Sequence, residues 1–173
     1  MTPRLSQPPG ILIRDARPED AAAMVRVLIR TKEESFSNPI NPHELDFDFW
    51  HRRWQGYIQQ GSRAQQSRGD GFAILAESDA RLVAFAAYHH TRRWGCDAEL
   101  ESIYVLLSHQ ARGVGTSLLR EIFQRLRAEG SRSLCVGYSP DNPYKRFYLK
   151  HGAIEINPHW AAWRSLPAAE VAL

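Results

Sequence analysis

The sequence predicts an α/β protein in which a mixed, mostly antiparallel sheet carries helices on both of its faces. Two observations lead to this fold class. Strand-like runs separated by short turns follow one another in the first half of the chain, which is typical of antiparallel hairpins. A strand, a glycine turn and a helical apolar stripe then follow in the middle, and such an α-crossover adds a parallel strand to the sheet.

Size and composition fit one domain. The chain has 173 residues, of which 43% are hydrophobic, as in an ordinary globular protein. We expect a loose, proline-rich leader at residues 1–10, a single domain at 11–166 and a tail at 167–173. The formal net charge of +3 is too small to predict nucleic-acid binding, and no apolar run approaches the ~20 residues of a membrane helix. Two cysteines without a disulfide framework predict a cytoplasmic protein.

The first part of the chain alternates between strand and helix signals. A strand is predicted at residues 11–17, and a helix at about 18–31 begins with Pro18 and two acidic residues, which suit a first helical turn. The steps Asn38-Pro39 and Asn41-Pro42 end that helix. A second helix is predicted from residue 43 or 44 to about 59, and the polar, glycine-bearing stretch 61–71 is predicted to be a mobile surface loop.

Strands predominate in the remainder. A helix at about 113–129 ends at Gly130, and a short helix at 144–150 ends at Gly152. The element order is therefore β-α-α-β-β-β-α-β-α-β-β. Its remaining strands are predicted at residues 71–77, 82–89, 98–106, 133–137, 153–156 and 159–164.

The glycine turn at residues 110–115 is the first functional candidate. A helix N-terminus leaves backbone N–H groups without carbonyl partners, and the helix dipole makes this end suitable for a phosphate or diphosphate. Gly113 and Gly115 would let an anion approach the main chain closely. The turn matches neither the dinucleotide-binding nor the P-loop string, and a helix that merely begins at glycines is the alternative interpretation.

The pattern Gln110-x-x-Gly113-x-Gly115 after a strand resembles the Q/R-x-x-G-x-G/A signature of the GNAT N-acetyltransferase superfamily. That resemblance implies a GNAT-like acyl-CoA N-acyltransferase fold with a splayed central strand pair, and acetyl-CoA as cosubstrate. The pantetheine arm would bind along the strand that holds Ile103 and Val105. The diphosphate would bind the turn, which gives the cofactor residues Gln110, Arg112, Gly113, Val114, Gly115 and Thr116.

Two carboxylates precede this turn on the same predicted strand. Acetyl transfer to an amine requires removal of a proton, because an alkylamine of pKa ~10.4 is almost fully charged at pH 7. Period-2 alternation predicts that Glu99 and Glu101 share one face with Ile103 and Val105. In several GNAT enzymes a general-base glutamate lies eleven positions before the signature glutamine, and Glu99 lies there. The resemblance thus implies Glu99 as base, with Glu101 as substitute or amine-binding partner; two solvated side chains are the alternative.

The segment from Asn142 to Gly152 resembles the GNAT string N-P-x-x-x-F-Y-x-x-x-G. The resemblance implies that Tyr148 lies near the CoA sulfur and protonates the departing thiolate. Composition alone would make it a core aromatic. Many family members place the asparagine seven residues before the tyrosine, where this chain has Asp141. The contact with the pantetheine arm is therefore open between Asp141 and Asn142.

Other classes of site are disfavoured. His89 and His90 are neighbours on a strand and should face opposite ways, so they cannot bind one metal together, and we expect no metal. The predicted function is acetyl transfer to an amine-bearing small molecule or peptide in a ternary complex, without a covalent acetyl-enzyme. The alternative is a non-catalytic acyl-CoA-binding sensor. The sequence leaves the acceptor unidentified and a homodimer open.

Overall fold

The computed structural model describes residues 8–35, 40–63 and 71–168. Seven strands form one sheet in the order β1-β2-β3-β4-β5-β7-β6. The strands are β1 Ile11–Asp15, β2 Gly71–Ser78, β3 Arg81–His90, β4 Ala98–Val105, β5 Leu134–Gly137, β6 Ile154–Asn157 and β7 Trp160–Trp163. The helices are α1 Ala21–Ser35, α2 Phe47–Arg63, α3 Val114–Ala128 and α4 Lys145–Lys150.

The sheet separates two apolar layers, as the alternation within its strands requires. Ala73 and Leu75 of β2 face α1 and α2, where Trp54 is 1% exposed. Ile74 and Ala76 face the opposite way and pack with the apolar stripe of α3. Helices therefore cover both faces, and the predicted mixed fold is confirmed.

The predicted elements all occur, with ends displaced by a few residues. One local difference is at Pro18–Asp20, which forms a 3-10 turn before α1 begins at Ala21. Asp20 stays outside the α-helix because its carboxylate accepts the main-chain N–H of Arg17 and the guanidinium of Arg14. Most of the predicted mobile loop at 61–71 lies outside the described residues.

A β-bulge in β4 overturns one prediction. Ala87 of β3 lies opposite Ser102, but the next residue, Tyr88, lies opposite Leu100, so Glu101 is an extra residue. An extra residue reverses the alternation of side chains along a strand. Glu99 and Glu101 consequently lie on the α2 face, whereas Ile103 and Val105 pack in the core under α3. The prediction that all four share one face is wrong.

The central strands β4 and β5 are paired over only a short stretch. They pair in parallel only where Ala98–Leu100 meets Leu134–Val136. In the described part of the chain, β4 then continues to Val105 alongside β3 with no β5 residue opposite it. This arrangement leaves one main-chain edge of residues 101–105 without a neighbouring strand in the middle of the sheet, because each strand has hydrogen-bonding groups along both edges. At its end, the Val105 carbonyl accepts from the side chain of Gln110.

Two further features bear on the sequence predictions. Cys96 and Cys135 are both buried and free, so no disulfide joins them. None of the helices in the described ranges has the length and apolarity needed to cross a membrane.

Candidate active site

The glycine turn begins α3 as the sequence predicts. Gly113 is the N-cap of the helix with φ +81°, and no side chain caps this end. A side chain at such a φ is strained, which explains the glycine. Residues 111–113 are exposed, and the first intrahelical bond runs from Ser117 N–H to the Gly113 carbonyl. The N–H groups of residues 114–116 therefore have no acceptor four residues back in the helix.

Gln110 braces the turn with its side chain. Its Nε2 donates to the Val105 carbonyl over 2.9 Å, and its Oε1 accepts from the hydroxyl of Tyr144 over 3.1 Å. The amide thus connects the end of β4 to the segment before α4. Sequence reasoning missed Tyr144, whose position becomes meaningful only once α4 lies beside the turn. Arg112 is exposed at the surface of the turn.

Gly115 and Thr116 connect α3 to α4. A Cβ on Gly115 would lie 3.4 Å from the ring of Phe147, an ordinary contact distance, so α4 packs directly against the start of α3. The Thr116 hydroxyl lies 3.0 Å from Nε2 of His151, and Nδ1 of His151 lies 2.7 Å from the Phe147 carbonyl. Since that carbonyl requires a donor, Nδ1 carries the proton and Nε2 accepts from Thr116. Burial lowers the pKa of His151 and favours this neutral form.

Tyr148 is buried, with 7% of its surface exposed. Its ring stacks on that of Tyr138 with centroids 5.9 Å apart. Burial raises the pKa of Tyr148 well above its usual value, and the neighbouring Tyr104 and Tyr138 raise it further. Tyr138 directly follows β5, so Tyr148 packs beside the end of that strand. Its hydroxyl keeps its proton at neutral pH.

The segment before α4 leaves the contact with the pantetheine arm open. The side-chain oxygen of Asn142 accepts the main-chain N–H of Tyr144 over 2.8 Å, which shapes the turn. Asp141 is exposed. The Asn142 oxygen is therefore occupied locally, and its amide N–H groups are the ones that remain as donors.

Glu99 and Glu101 line one cleft of about 350 Å³ between α2 and the sheet. Arg53 of α2 donates to Glu101 over 2.7 Å, and Nε of Arg93 donates to Glu99 over 3.0 Å. The ring of His89 lies between the carboxylates, 3.7 Å from Glu99 and 3.4 Å from Glu101. Sequence reasoning missed these three basic partners, because they come from separate elements that only folding brings together.

The two adjacent histidines of β3 do face opposite ways. His89 lies in the cleft, whereas His90 lies 3.2 Å from Glu129 at the end of α3. His89, Glu99 and Glu101 each offer one atom that could ligate a metal ion, and these three atoms lie within 4.8 Å of one another. Each carboxylate of that group also pairs with an arginine, Glu101 with Arg53 and Glu99 with Arg93.

Comparisons with known proteins agree with this geometry. The model of the acetyltransferase (GNAT) family matches residues 28–153. A PaiA N-acetyltransferase of Thermoplasma acidophilum in complex with coenzyme A superposes with a TM-score of 0.72 at 17% identity, covering 88% of this chain and 96% of that one. A GNAT family acetyltransferase of Brucella melitensis in complex with acetyl-CoA gives 0.59 at 19% identity, covering 91% and 89%.

A third solved structure is also similar in fold. The ribosomal-protein-S18-alanine N-acetyltransferase of Escherichia coli superposes with a TM-score of 0.63 at 16% identity, covering 94% of this chain and 99% of that one. No curated protein sequence matches the chain significantly. At these identities the solved structures establish the shared fold, and the family model adds the match in sequence.

Proposed function

This chain belongs to the GNAT acetyltransferase family, and from that premise we propose that it transfers the acetyl group of acetyl-CoA to a primary amine by direct attack. As a member of this family, the chain is an acetyl-CoA-dependent N-acetyltransferase. The observation that carries the proposed mechanism is the separation of β4 from β5 after Leu100. The opening lies between the carboxylate cleft and the glycine turn, so acetyl donor and amine can meet there.

The glycine turn is the proposed seat of the CoA diphosphate. The N–H groups of residues 114–116 are directed out of the N-terminus of α3, and the helix dipole adds partial positive charge. Gly113 has no side chain to obstruct the anion. Gln110 holds the turn against β4 rather than reaching toward the ligand. Arg112, exposed on the turn, adds a positive charge beside the phosphates.

The pantetheine arm is proposed to lie in the opening between the strands. Its amides would pair with the free main-chain edge of β4, as an added strand pairs with a sheet edge. The side chains of Ile103 and Val105 pack against the core under α3, which holds this part of β4 in place. A main-chain N–H near Val105 would then polarise the thioester carbonyl.

Proton transfers complete the proposed reaction. Glu99 accepts a proton from the acceptor ammonium, and the freed nitrogen attacks the thioester carbon. The tetrahedral intermediate collapses as the carbon–sulfur bond breaks, and Tyr148 gives its proton to the departing thiolate. The amide nitrogen then releases its second proton, which restores the Tyr148 hydroxyl, and Glu99 returns the first proton to water. The raised pKa of Tyr148 ensures that the hydroxyl carries its proton at neutral pH, so a donor is present beside the departing sulfur.

A covalent acetyl-cysteine is not part of the proposal. Burial raises the pKa of Cys135 to about 12, and the nearby thiol of Cys96 contributes. A thiol that stays protonated at neutral pH is a poor nucleophile. Both cysteines lie in a small buried cluster with Ala162 rather than in the cleft.

Three substitutions test the mechanism. Glu99→Gln and Tyr148→Phe should each lower kcat by about 10²-fold while the Kd for CoA measured by calorimetry stays unchanged, since each removes a proton-transfer group. Glu101→Gln should chiefly raise the KM for the amine. Glu121→Gln, on α3 away from the cleft, is the matched control and should leave both constants unchanged.

Measurements of CoA binding and of amine acetylation also distinguish an enzyme from a non-catalytic sensor. If the wild-type chain binds CoA but no amine in a broad panel is acetylated, it is a non-catalytic acyl-CoA-binding module. If Glu101→Gln abolishes turnover and Glu99→Gln does not, the two carboxylates exchange roles.

A further inference from the structure

The cleft that holds Glu99 and Glu101 carries balanced charge. Its two carboxylates face two guanidiniums, those of Arg53 and Arg93, at 2.7 and 3.0 Å. A site built only to receive an ammonium would need the carboxylates alone. The arginines therefore require an explanation beyond amine binding, and it must involve an anion, because Arg is suited to carboxylate and phosphate partners.

The acids and the arginines lie at different depths. The side chains of Glu99 and Glu101 are 13% and 20% exposed, whereas those of Arg93 and Arg53 are 54% and 47% exposed. The carboxylates are held at the floor of the cleft and the guanidiniums at its rim. A ligand bound here would present its cationic end inward and its anionic end outward.

Rigid neighbours shape the floor and one side of the rim. The ring of Tyr57 lies directly over Gly71, where any Cβ would come within 2.3 Å of it, and its hydroxyl donates to the Tyr88 carbonyl. Arg93 lies over the ring of Trp160, with 4.9 Å from guanidinium to centroid. The next residue, Trp94, has a φ of +55°, a strained value for a side chain of this size. Main-chain hydrogen bonds from Gly95 to Arg92 and from Cys96 to Arg93 hold the turn that carries Arg93.

We propose, on the basis of the proposed function, that the acceptor is a small amino carboxylic acid whose carboxylate lies within a few bonds of the amine that is acetylated. Its ammonium takes the place of the arginines at Glu99 and Glu101, and its carboxylate takes the place of the glutamates at Arg53 and Arg93. Ion pairs are exchanged rather than lost, which avoids the cost of leaving a partly buried charge alone. A polyamine lacks the anion and would meet the guanidiniums with like charge.

The cleft volume fits this class of acceptor. About 350 Å³ lies at the lower end of the ~300–1,000 Å³ typical of small-molecule sites. The residues that face the space are mainly polar, which suits a small zwitterion better than a long apolar chain. The acetylated nitrogen would sit beside Glu99 and Glu101, next to the opening between β4 and β5.

The test compares amino acids with their own carboxamides as acceptors. Each pair has the same side chain and amine, and the carboxamide only removes the negative charge. The carboxamide amine is the more easily deprotonated, since no carboxylate stabilises its ammonium, so chemistry alone would favour it. We expect kcat/KM to favour the amino acid by about tenfold or more, as charge-assisted hydrogen bonds typically contribute this much.

Variants of Arg53 and Arg93 test whether these two side chains cause the preference for the amino acid. Arg53→Gln and Arg93→Gln should each lower the preference for the amino acid over its carboxamide, measured as the ratio of their kcat/KM values, by about tenfold. Arg52→Gln is the matched control, because Arg52 is an exposed neighbour on α2 outside the cleft. Calorimetric titration of the amino acid into the CoA-bound protein should show the same loss of affinity without any turnover.

Other outcomes overturn the proposal. Equal rates for acids and carboxamides, or faster acetylation of polyamines, would exclude a carboxylate-bearing acceptor while leaving the N-acetyltransferase intact. Stoichiometric Zn²⁺ binding that disappears in His89→Gln would make the cleft a metal site instead. Failure to acetylate any amine would refute the proposed function itself, which is a different result.

Discussion

The backbone conformation at Gly113 limits which residues can occupy this position. Its φ of +81° lies in the left-handed region, and the space around a Cβ there is nearly open, with the ring of Pro8 3.5 Å away. The glycine is therefore required by backbone conformation and not by crowding. Gly115 differs from it, since its backbone is helical and a Cβ there would meet Phe147 and Val105 at the ordinary contact distances of 3.4 and 3.6 Å.

These two glycines make a matched pair for mutation. Gly113→Ala should lower the free energy of unfolding by about 1 kcal/mol, because a side chain is strained at positive φ. Its Kd for CoA should rise, since the turn must shift to relieve the strain. Urea denaturation and calorimetry measure the two effects. Gly115→Ala should be nearly neutral in stability, and an unchanged denaturation midpoint for Gly113→Ala would contradict the argument.

At the scale of elements, one buried imidazole joins α3 to α4. His151 is 4% exposed and connects the Thr116 hydroxyl to the Phe147 carbonyl. Trp163 of β7 donates to the His151 carbonyl over 2.8 Å, so three elements meet at this residue. The imidazole must be neutral to accept from Thr116, and burial lowers its pKa accordingly.

Stability should therefore fall on acidification. Below the ordinary histidine pKa of ~6.5, the unfolded chain takes up a proton that the folded His151 resists, and stability rises with pH wherever the unfolded state binds more protons. The free energy of unfolding should decrease from pH 6.5 downward until His151 also protonates in the fold. His151→Gln should be less stable at pH 7.5 and show a smaller decrease, measured by urea denaturation at each pH.

A control separates this residue from the other histidines. The exposed His159→Gln should retain the wild-type difference in stability between pH 7.5 and pH 5. If His151→Gln shows the same decrease as the wild-type chain, the acid sensitivity arises elsewhere.

At the scale of the whole molecule, bound CoA should stabilise the fold by connecting elements on both sides of the opening in the sheet. The proposed seat joins β4, the glycine turn and the start of α3, which are continuous in the chain, to β5 and α4. A ligand that binds only the folded state stabilises it by about 2.7 kcal/mol at 100 times its Kd. For a domain of this size that corresponds to a rise in Tm of about 5 to 10 °C.

Pantetheine provides the comparison for that measurement. It retains the arm proposed to lie between β4 and β5 but lacks the diphosphate, so at equal concentration its effect on Tm should be much smaller. An equal rise with pantetheine would remove the glycine turn from the site, and no rise with CoA would contradict the whole assignment.

The fold class, the element order and the glycine turn were all predicted from the sequence because each depends on local chemistry. Apolar periodicity identifies a strand or helix within its own residues. Gly113 at a helix start, Gly130 at a helix end and Pro18 before the first helix act on the backbone beside them. For the same reason the ends of the elements differ from prediction by only a few residues.

The tertiary structure alone decided how the side chains of the site are grouped. The bulge at Glu101 depends on the register of β4 against β3, and no signal within β4 announces it, so alternation placed Glu99 and Glu101 on the wrong face. Arg53 meets Glu101 from 48 positions away, because α2 packs against that face of the sheet. Strand register and helix packing are set by contacts between distant parts of the chain, and local periodicity carries no information about them.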